Sequence, residues 1–218
     1  MTDGFLVVDK ASGMTSHDVV AVGRKALGTR KVGHAGTLDP MATGILVLGF
    51  GNGTRLLQYI TEGDKSYLAT IVLGASTITD DKEGEVINSV DASSIKDSEI
   101  EEFLRAMIGT IAQRPSSVSA IKVGGERAYD RVRAGERFEL EARQVTITQL
   151  DIVQIRHLNQ TTEVDIEVTC SAGTFIRAIA RDLGISLQVG GHLSALRRTR
   201  VAGFTEQDAV SVEDLKAK

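Results

Sequence analysis

One carboxylate, Asp39, lies in a segment whose composition favours a rigid loop. The segment reads Gly33-His34-Ala35-Gly36-Thr37-Leu38-Asp39-Pro40-Met41-Ala42-Thr43-Gly44-Ile45-Leu46. Glycine adopts backbone conformations that other residues resist, and Pro40 fixes its own φ angle and biases Asp39 towards an extended conformation. A carboxylate held in this way can act as a nucleophile or stabilise a developing positive charge. The alternative is a surface turn that merely contains an aspartate.

Four further segments accompany the Asp39 loop along the chain. They are Val8-Asp9-Lys10 with Gly13-Met14-Thr15-Ser16, then Lys65-Ser66-Tyr67, then Arg114-Pro115-Ser116-Ser117-Val118-Ser119-Ala120-Ile121-Lys122, and finally Gly173-Thr174-Phe175-Ile176-Arg177. In this order, the five segments resemble the motifs of the TruB-type tRNA pseudouridine synthases (the tRNA pseudouridine-55 synthases). The resemblance runs from about Phe5 to about Phe204, and five segments in register are far more specific than one.

The resemblance implies an RNA isomerase that converts uridine to pseudouridine in the T-loop of tRNA, at position 55, by base flipping and an essential aspartate. That reaction breaks the N1–C1′ bond, turns the base and rejoins it through C5, without redox change or a group donor. No cofactor is implied. Metal ligation is set aside because no cysteine or second histidine lies at ligand spacing from His34. Whether Asp39 attacks C6 of uracil, attacks C1′ or supports a glycal route stays open.

Two catalytic partners for Asp39 are implied by the resemblance. Arg177 would keep the carboxylate ionised in a closed site, since burial alone raises the pKa of an aspartate. The alternative makes Arg177 a surface helix residue that pairs with Asp182 or with no partner. Tyr67 would stack on the target base and handle the proton at C5, whereas the alternative is an ordinary half-buried strand tyrosine.

The resemblance also implies a set of substrate-binding residues. His34 would fill the space left by the flipped uridine, Leu196 would line the base pocket, and Lys10 would give structural support or contact a phosphate. Phe175 stands where the family commonly has tyrosine, so we expect it to pack against uracil without a hydrogen bond. An RNA-gripping insertion, about residues 113–143, would hold phosphates through basic residues that include Lys122, Arg127 and Arg133.

The composition is that of an ordinary soluble protein. The 218 residues are 42% hydrophobic and 25% charged, and no apolar run approaches the roughly 18 to 20 residues of a membrane span. The N-terminus lacks the features of a secretory signal. Cys170, the single cysteine, fits a reducing compartment and a buried apolar role. We therefore expect a cytoplasmic protein that does not bind membranes.

Charge is segregated along the chain although the net charge is only −4. Residues 74–102 hold nine acids and two bases, residues 105–143 hold eight bases and five acids, and residues 177–200 hold five bases and one acid. Such segregation can give a basic face for RNA on an acidic protein. A charge run is more often a solvated face, so this pattern supports an RNA ligand only modestly.

Hydrophobic periodicity predicts the elements that position these residues. We expect strands at 5–9, 45–50, 67–73, 144–155 and 162–170. Helices are expected at about 16–27 with Ser16 as N-cap, at 98–108 with a Ser98/Glu101 capping box, and at 174–183. The fold class is therefore α+β, with a mixed, mainly antiparallel sheet and flanking helices. The resemblance implies the pseudouridine synthase catalytic fold.

No linker divides the chain before about Thr205. We expect a catalytic domain over residues 1–205, with residues 206–218 starting a linker or tail. The family usually continues from there into a small C-terminal RNA-binding domain, which we do not expect within these residues.

Other functions remain open. The chain could be an RNA chaperone that binds and unfolds tRNA, or a guide-RNA-dependent pseudouridine synthase subunit. The compact length and the intact insertion favour action on the T-stem-loop of tRNA without an obligatory protein partner. We expect a monomer. A glycosidase is disfavoured because no second carboxylate occupies a comparable motif.

Overall fold

A computed structural model describes residues 3–116, 122–123, 126–127 and 140–217. The strands, in chain order, are β1 (Gly4–Lys10), β2 (Val32–His34), β3 (Thr43–Phe50), β4 (Lys65–Leu73), β5 (Ala75–Thr77), β6 (Val86–Ser89), β7 (Gly109–Gln113), β8 (Lys122–Val123), β9 (Glu126–Arg127), β10 (Arg143–His157), β11 (Thr162–Cys170), β12 (Gly191–Val201), β13 (Phe204–Thr205) and β14 (Ala209–Ser211). The α-helices are α1 (Ser16–Ala26), α2 (Leu57–Glu62), α3 (Asp97–Ala106), α4 (Ile176–Ser186) and α5 (Val212–Lys216). The described residues contain no helix that is both long and apolar enough to cross a membrane.

The chain divides into two compact units. The first comprises Met1–Leu68 and Ala195–Lys218, and the second comprises Ala69–Ser194. The chain passes between them inside β4 and inside β12, so each of these strands contributes residues to both units.

Two basic residues, Lys10 and Arg198, pair with the strand position at which the Asp39 loop returns to the sheet of the first unit. β1 pairs antiparallel with β3 and parallel with β14, while β12 pairs parallel with β3. Gly44 on β3 faces Lys10 on β1 and Arg198 on β12. Its φ angle is +99°, and a Cβ there would lie 2.2 Å from the carbonyl oxygen of Arg198. Only glycine therefore fits at this point of the sheet.

Helix α1 covers this sheet with one apolar face. Val19 and Val20 of α1 are buried in a cluster with Val8, Leu46 and Leu48, which is the pattern of an amphipathic helix. Thr15, and not Ser16 as predicted, is the N-cap. Its side chain accepts a hydrogen bond from the amide of Asp18, and the Asp18 carboxylate accepts one from the amide of Thr15.

The segment predicted to start a linker or tail is folded. β14 pairs with β1, and α5 buries Val212 and Leu215 in the same cluster as α1. The apolar spacing of these two residues on α5 explains this difference, because they need a surface to pack against.

The second unit is built on the strand order β4, β11, β10, β7. β10 pairs antiparallel with both β11 and β7, and β5 pairs with β6 in a separate hairpin. β11 has the predicted bounds and buries one face; its buried residues include Val164, Ile166, Val168 and Cys170. The α+β class with a mainly antiparallel sheet is confirmed.

Two helix starts differ from the prediction. α3 begins at Asp97, and its capping bond joins the amide of Lys96 to the carboxylate of Glu99, so the predicted Ser98/Glu101 box is wrong. α4 begins at Ile176, two residues later than predicted. Both differences are of the size expected when only hydrophobic spacing sets the boundary.

Candidate active site

The Asp39 loop is held by hydrogen bonds at every carbonyl from residue 36 to residue 41. Arg198 donates to the carbonyl of Gly36 from Nη2 (3.2 Å) and to that of Thr37 from Nη1 (3.4 Å). Ser16 Oγ donates to the carbonyl of Leu38 (3.1 Å), and the amide of Ala42 donates to that of Asp39 (3.1 Å). The carbonyl of Pro40 accepts from Lys10 Nζ (3.1 Å) and from the amide of Gly13 (2.8 Å), and the carbonyl of Met41 accepts from Ser12 Oγ (3.2 Å). Each of these bonds opposes rotation of the peptide that it holds. Asp39 itself is half-buried. This geometry supports a loop that fixes one carboxylate.

Lys10 supports this loop from inside the first unit. Its side chain is fully buried, and Nζ donates to the carbonyls of Ala11 (3.0 Å), Met14 (2.7 Å) and Pro40 (3.1 Å). An ammonium group has three donors, and a buried one requires partners for them. Of the two roles that the sequence left open for Lys10, the geometry favours structural support over phosphate contact.

Ser16 clamps the residue before Asp39. Its buried hydroxyl accepts a hydrogen bond from the amide of Leu38 (2.9 Å) and donates to the carbonyl of the same residue (3.1 Å). The sequence offered a signal for helix capping at this position but none for this contact, which depends on how α1 meets the loop.

Arg198 is a functional candidate that the sequence analysis missed. Its side chain is 1% exposed, and besides Gly36 and Thr37 it donates from Nε to the carbonyl of Ile45 (2.8 Å). It lies two residues after Leu196 on β12, and alternate strand residues share a face. That spacing was the available signal, since Leu196 was already a candidate.

His34 ends β2, and its ring meets His17 edge-on at 5.6 Å between centroids. Burial lowers the pKa of His34, and the nearby His17 lowers it further. Nδ1 is buried and makes no hydrogen bond of acceptable geometry within the described chain, although a Gly36 backbone interaction offsets part of the shift. A neutral imidazole is the form that can pack beside a base without a charge to desolvate.

Tyr67 on β4 and Leu196 on β12 are both buried, with 7% of each residue exposed. Tyr67 is therefore more buried than the half-exposed strand tyrosine that was the alternative. Stacking of Tyr67 on a base and packing of Leu196 against it stay predictions.

In the second unit, Arg177 lies in the first turn of α4 with a side chain only 6% exposed. Nη1 donates to the carbonyl of Thr79 (2.7 Å) and to Oδ2 of Asp81 (3.2 Å). The surface alternative is wrong, because the side chain of Arg177 is buried; Asp182 pairs with Arg181. Asp39 and Arg177 belong to different units, and their pairing stays a prediction.

Asp81 is fixed by its own turn. Its Oδ1 accepts hydrogen bonds from Thr79 Oγ1 (2.5 Å) and from the amide of Glu83 (3.0 Å). The Thr79-x-Asp81 spacing indicates local side-chain bonding, but the partnership with Arg177 joins residues 96 positions apart.

Two hydrogen bonds with Gln113 hold the start of α4 in the same unit. Gln113, at the end of β7, donates to the carbonyl of Phe175 (3.0 Å) and accepts from its amide (2.8 Å). Asp80 accepts from Ser116 Oγ (2.6 Å) and from Arg181 Nη1 (3.3 Å). Burial raises the pKa of Asp80, and these two donors oppose that shift. Packing of Phe175 on uracil stays a prediction.

The residues of the insertion that were predicted to bind phosphates are only partly described. Lys122 and Arg127 pair across the β8–β9 hairpin, while Arg133 lies outside the described residues. Among the residues that the structure describes, no cluster of three or more His, Cys, Asp or Glu could hold a metal.

Two family descriptions match the chain. Residues 24–176 match the "TruB family pseudouridylate synthase (N terminal domain)". Residues 177–218 match the "tRNA pseudouridylate synthase B C-terminal domain". The second match begins at Arg177, inside the region that the sequence analysis assigned to the catalytic domain.

Curated relatives named tRNA pseudouridine synthase B are similar over nearly the whole chain. A Corynebacterium efficiens protein is 54% identical over 98% of this chain and 72% of its own length. A Rhodococcus jostii protein is 57% identical over 97% of this chain and 70% of its own length. The chain therefore spans about 70% of these relatives.

Two solved structures of similar fold come from an H/ACA ribonucleoprotein and from a protein complex. A chain from a particle bound to a substrate RNA containing 2′-deoxyuridine is 27% identical with a TM-score of 0.72. A chain from a Cbf5-Nop10-Gar1 complex is 29% identical with a TM-score of 0.75. Both matches cover 98% of this chain and 52% and 54% of those chains, respectively.

Proposed function

Because the chain belongs to the TruB family of pseudouridylate synthases, we propose that it converts uridine to pseudouridine in tRNA, in the T-loop at position 55. It acts on the T-stem-loop in the cytoplasm as a monomer, without a cofactor or an obligatory protein partner. The family membership supplies the reaction class, and the curated relatives carry tRNA in their names.

The observation that carries this proposal is the Asp39 loop, in which every carbonyl from residue 36 to residue 41 is bonded. Isomerisation breaks N1–C1′ and forms C5–C1′, so one proton leaves C5 and one proton ends on N1. Asp39 attacks the base at C6, attacks C1′ or supports a glycal, and each route needs a carboxylate at a fixed angle to the nucleotide. A loop whose peptides cannot rotate supplies that angle.

The remaining site residues serve this reaction. Arg177, anchored by Asp81, neutralises the carboxylate of Asp39 so that it stays ionised when water is excluded. Tyr67 stacks on the base and handles the proton at C5, while Phe175 and Leu196 pack around the uracil. His34 occupies the space from which the nucleotide was extruded, and so offsets part of the few kcal/mol that unstacking costs. Lys122, Arg127 and Arg133 bind phosphates.

Mapping of modified uridines by mass spectrometry tests the proposal. Unmodified tRNA is incubated with the wild-type chain, with Asp39→Asn, and with Asp64→Asn as a control at an exposed carboxylate. We expect one pseudouridine in the T-loop with the wild type and the control, and none with Asp39→Asn. Pseudouridine at another uridine would contradict the T-loop assignment.

Two rival functions are separated by further arms of this experiment. An RNA chaperone would refold tRNA equally well as wild type and as Asp39→Asn, without tritium release from C5-labelled uridine. The H/ACA ribonucleoprotein structure favours a guide-RNA-dependent subunit as the second candidate. Such a subunit would leave a bare T-stem-loop transcript unmodified, whereas we expect the chain to modify it alone.

A further inference from the structure

Arg198 is a buried cation whose hydrogen bonds in the described chain all go to backbone carbonyls. The acceptors are Gly36 (3.2 Å), Thr37 (3.4 Å) and Ile45 (2.8 Å). Burial of a charged group is costly unless its donors find partners. An apolar side chain would fill the same volume without this cost, but it would leave those three carbonyls without their donor.

The three acceptors lie on both arms of the Asp39 loop. Gly36 and Thr37 precede Asp39 by three and two residues, while Ile45 follows it on β3. One guanidinium therefore joins the incoming arm of the loop to the outgoing arm. Its planar fork presents donors at separate positions, whereas a lysine carries all its donors on one nitrogen.

The strand pairing keeps this guanidinium in place. Arg198 pairs with Gly44 across the parallel β3–β12 ladder, and the close approach of these backbones requires glycine at position 44. The outgoing arm of the loop thus joins the sheet at Gly44, beside Arg198, which also holds the incoming arm at Gly36 and Thr37. A shift of Arg198 would move both arms together.

We propose that Arg198 is a positioning residue for Asp39, which sets the direction of the carboxylate by joining the two arms of its loop. It acts through the backbone and touches neither the base nor the sugar. This role rests on the proposed function only for its effect on rate; the effect on the loop is independent of any substrate.

The first test measures the loop without substrate, by hydrogen–deuterium exchange of peptides that cover residues 36–42. In Arg198→Lys we expect the amides of Leu38 and Ala42 to exchange about 10-fold faster, since Leu38 itself lies in the loosened loop and Ala42 donates to Asp39 within it. The control is Arg197→Lys on the same strand, where the side chain forms surface ion pairs with Asp9 and Glu206. That control should exchange like the wild type.

The second test measures single-turnover pseudouridine formation and tRNA affinity separately. Misplacement of a reacting group by about 1 Å can cost about 100-fold in rate. We expect a loss of about that size in Arg198→Lys, with the dissociation constant for tRNA within about 2-fold of wild type. Arg198→Met should behave in the same way. It offers a second variant if the lysine does not fold, because an apolar side chain of similar length avoids the buried charge.

Two results would overturn the proposal. One is wild-type exchange and wild-type rate in Arg198→Lys or Arg198→Met. The other is faster exchange across the whole first unit with parallel losses of rate and tRNA affinity, which would mark Arg198 as a general structural residue. If the wild type makes no pseudouridine while Arg198→Lys still loosens residues 36–42 alone, the proposed function fails and the loop assignment stands.

Discussion

The ion pair between Asp81 and Arg177 lies almost entirely out of water, with side chains 5% and 6% exposed. Attraction between charges is strong in such surroundings, but a partner left alone there loses its hydration without compensation. The neighbouring pair of Arg181 and Asp182 is 20% and 32% exposed, and solvent screens it. The two pairs provide a comparison of burial along one helix.

We predict that Asp81→Ala lowers the free energy of unfolding by about 3–5 kcal/mol, because it removes a buried carboxylate that Arg177 contacts. Asp182→Ala should cost less than about 1 kcal/mol, as surface pairs do. Urea unfolding followed by far-ultraviolet circular dichroism measures both. Equal effects of the two variants would show that burial does not govern the Arg177 pair.

The shifted pKa of His34 predicts a pH dependence. Burial, followed by the charge of His17, lowers its pKa in the folded protein below the ordinary value of 6.5. At a pH between the folded pKa and 6.5, His34 is therefore more protonated in the unfolded chain than in the folded chain. The contribution of His34 to stability is complete above pH 6.5 and is lost as the pH falls from there towards the folded pKa.

The measurement is the free energy of unfolding across that acid window. The loss of stability on acidification should be smaller in His34→Gln than in wild type. His17→Gln should retain most of the loss, because burial is the larger cause of the shift. An unchanged pH dependence in His34→Gln would contradict the prediction.

The resemblance of five segments to one family predicted Asp39, Arg177 and the other motif positions, whose roles stay predictions. Residue types and spacing did not single out Arg198, because the spacing from Leu196 that would place it on the same strand face applies equally to Arg200. Only the pairing of Arg198 with Gly44 assigns it to the interior. The identification therefore requires the sheet register, which the local sequence does not contain.

At the scale of elements, the N-terminus of α1 differs by one residue from the prediction. The sequence predicted Ser16 as N-cap, but Thr15 takes that role, and Ser16 becomes the first helical residue with its hydroxyl on Leu38. Both residue types can cap a helix. The choice between them depends on the loop that packs against α1, so hydrophobic periodicity gave the helix but not its first residue.

We predict that Ser16→Ala lowers the free energy of unfolding by about 1–3 kcal/mol, since it leaves the buried amide and carbonyl of Leu38 without a partner. Ser12→Ala is the matched control: Ser12 is exposed, and water can replace its bond to Met41. Thermal unfolding compares the two. A larger loss in Ser12→Ala would contradict the proposed clamp at Leu38.

At the scale of the whole molecule, an acidic protein must bind a polyanion. The net charge is −4, so binding of tRNA depends on local basic residues and not on overall attraction. Lys122, Arg127 and Arg133 lie in the segment with an excess of bases, whereas residues 74–102 carry an excess of acids. Affinity for nucleic acid falls with salt in proportion to the number of phosphates that are neutralised.

We predict that replacing Lys122, Arg127 and Arg133 together by glutamine reduces the slope of log affinity against log salt by about 2 to 3, close to one unit per phosphate contact. The control replaces Lys82, Arg105 and Lys216 by glutamine. These three residues are exposed in other parts of the chain, and their replacement removes the same total charge. Titration of tRNA at several salt concentrations measures both slopes. If the control lowers the slope equally, overall charge drives binding; if only the first variant does, its three residues contact phosphates.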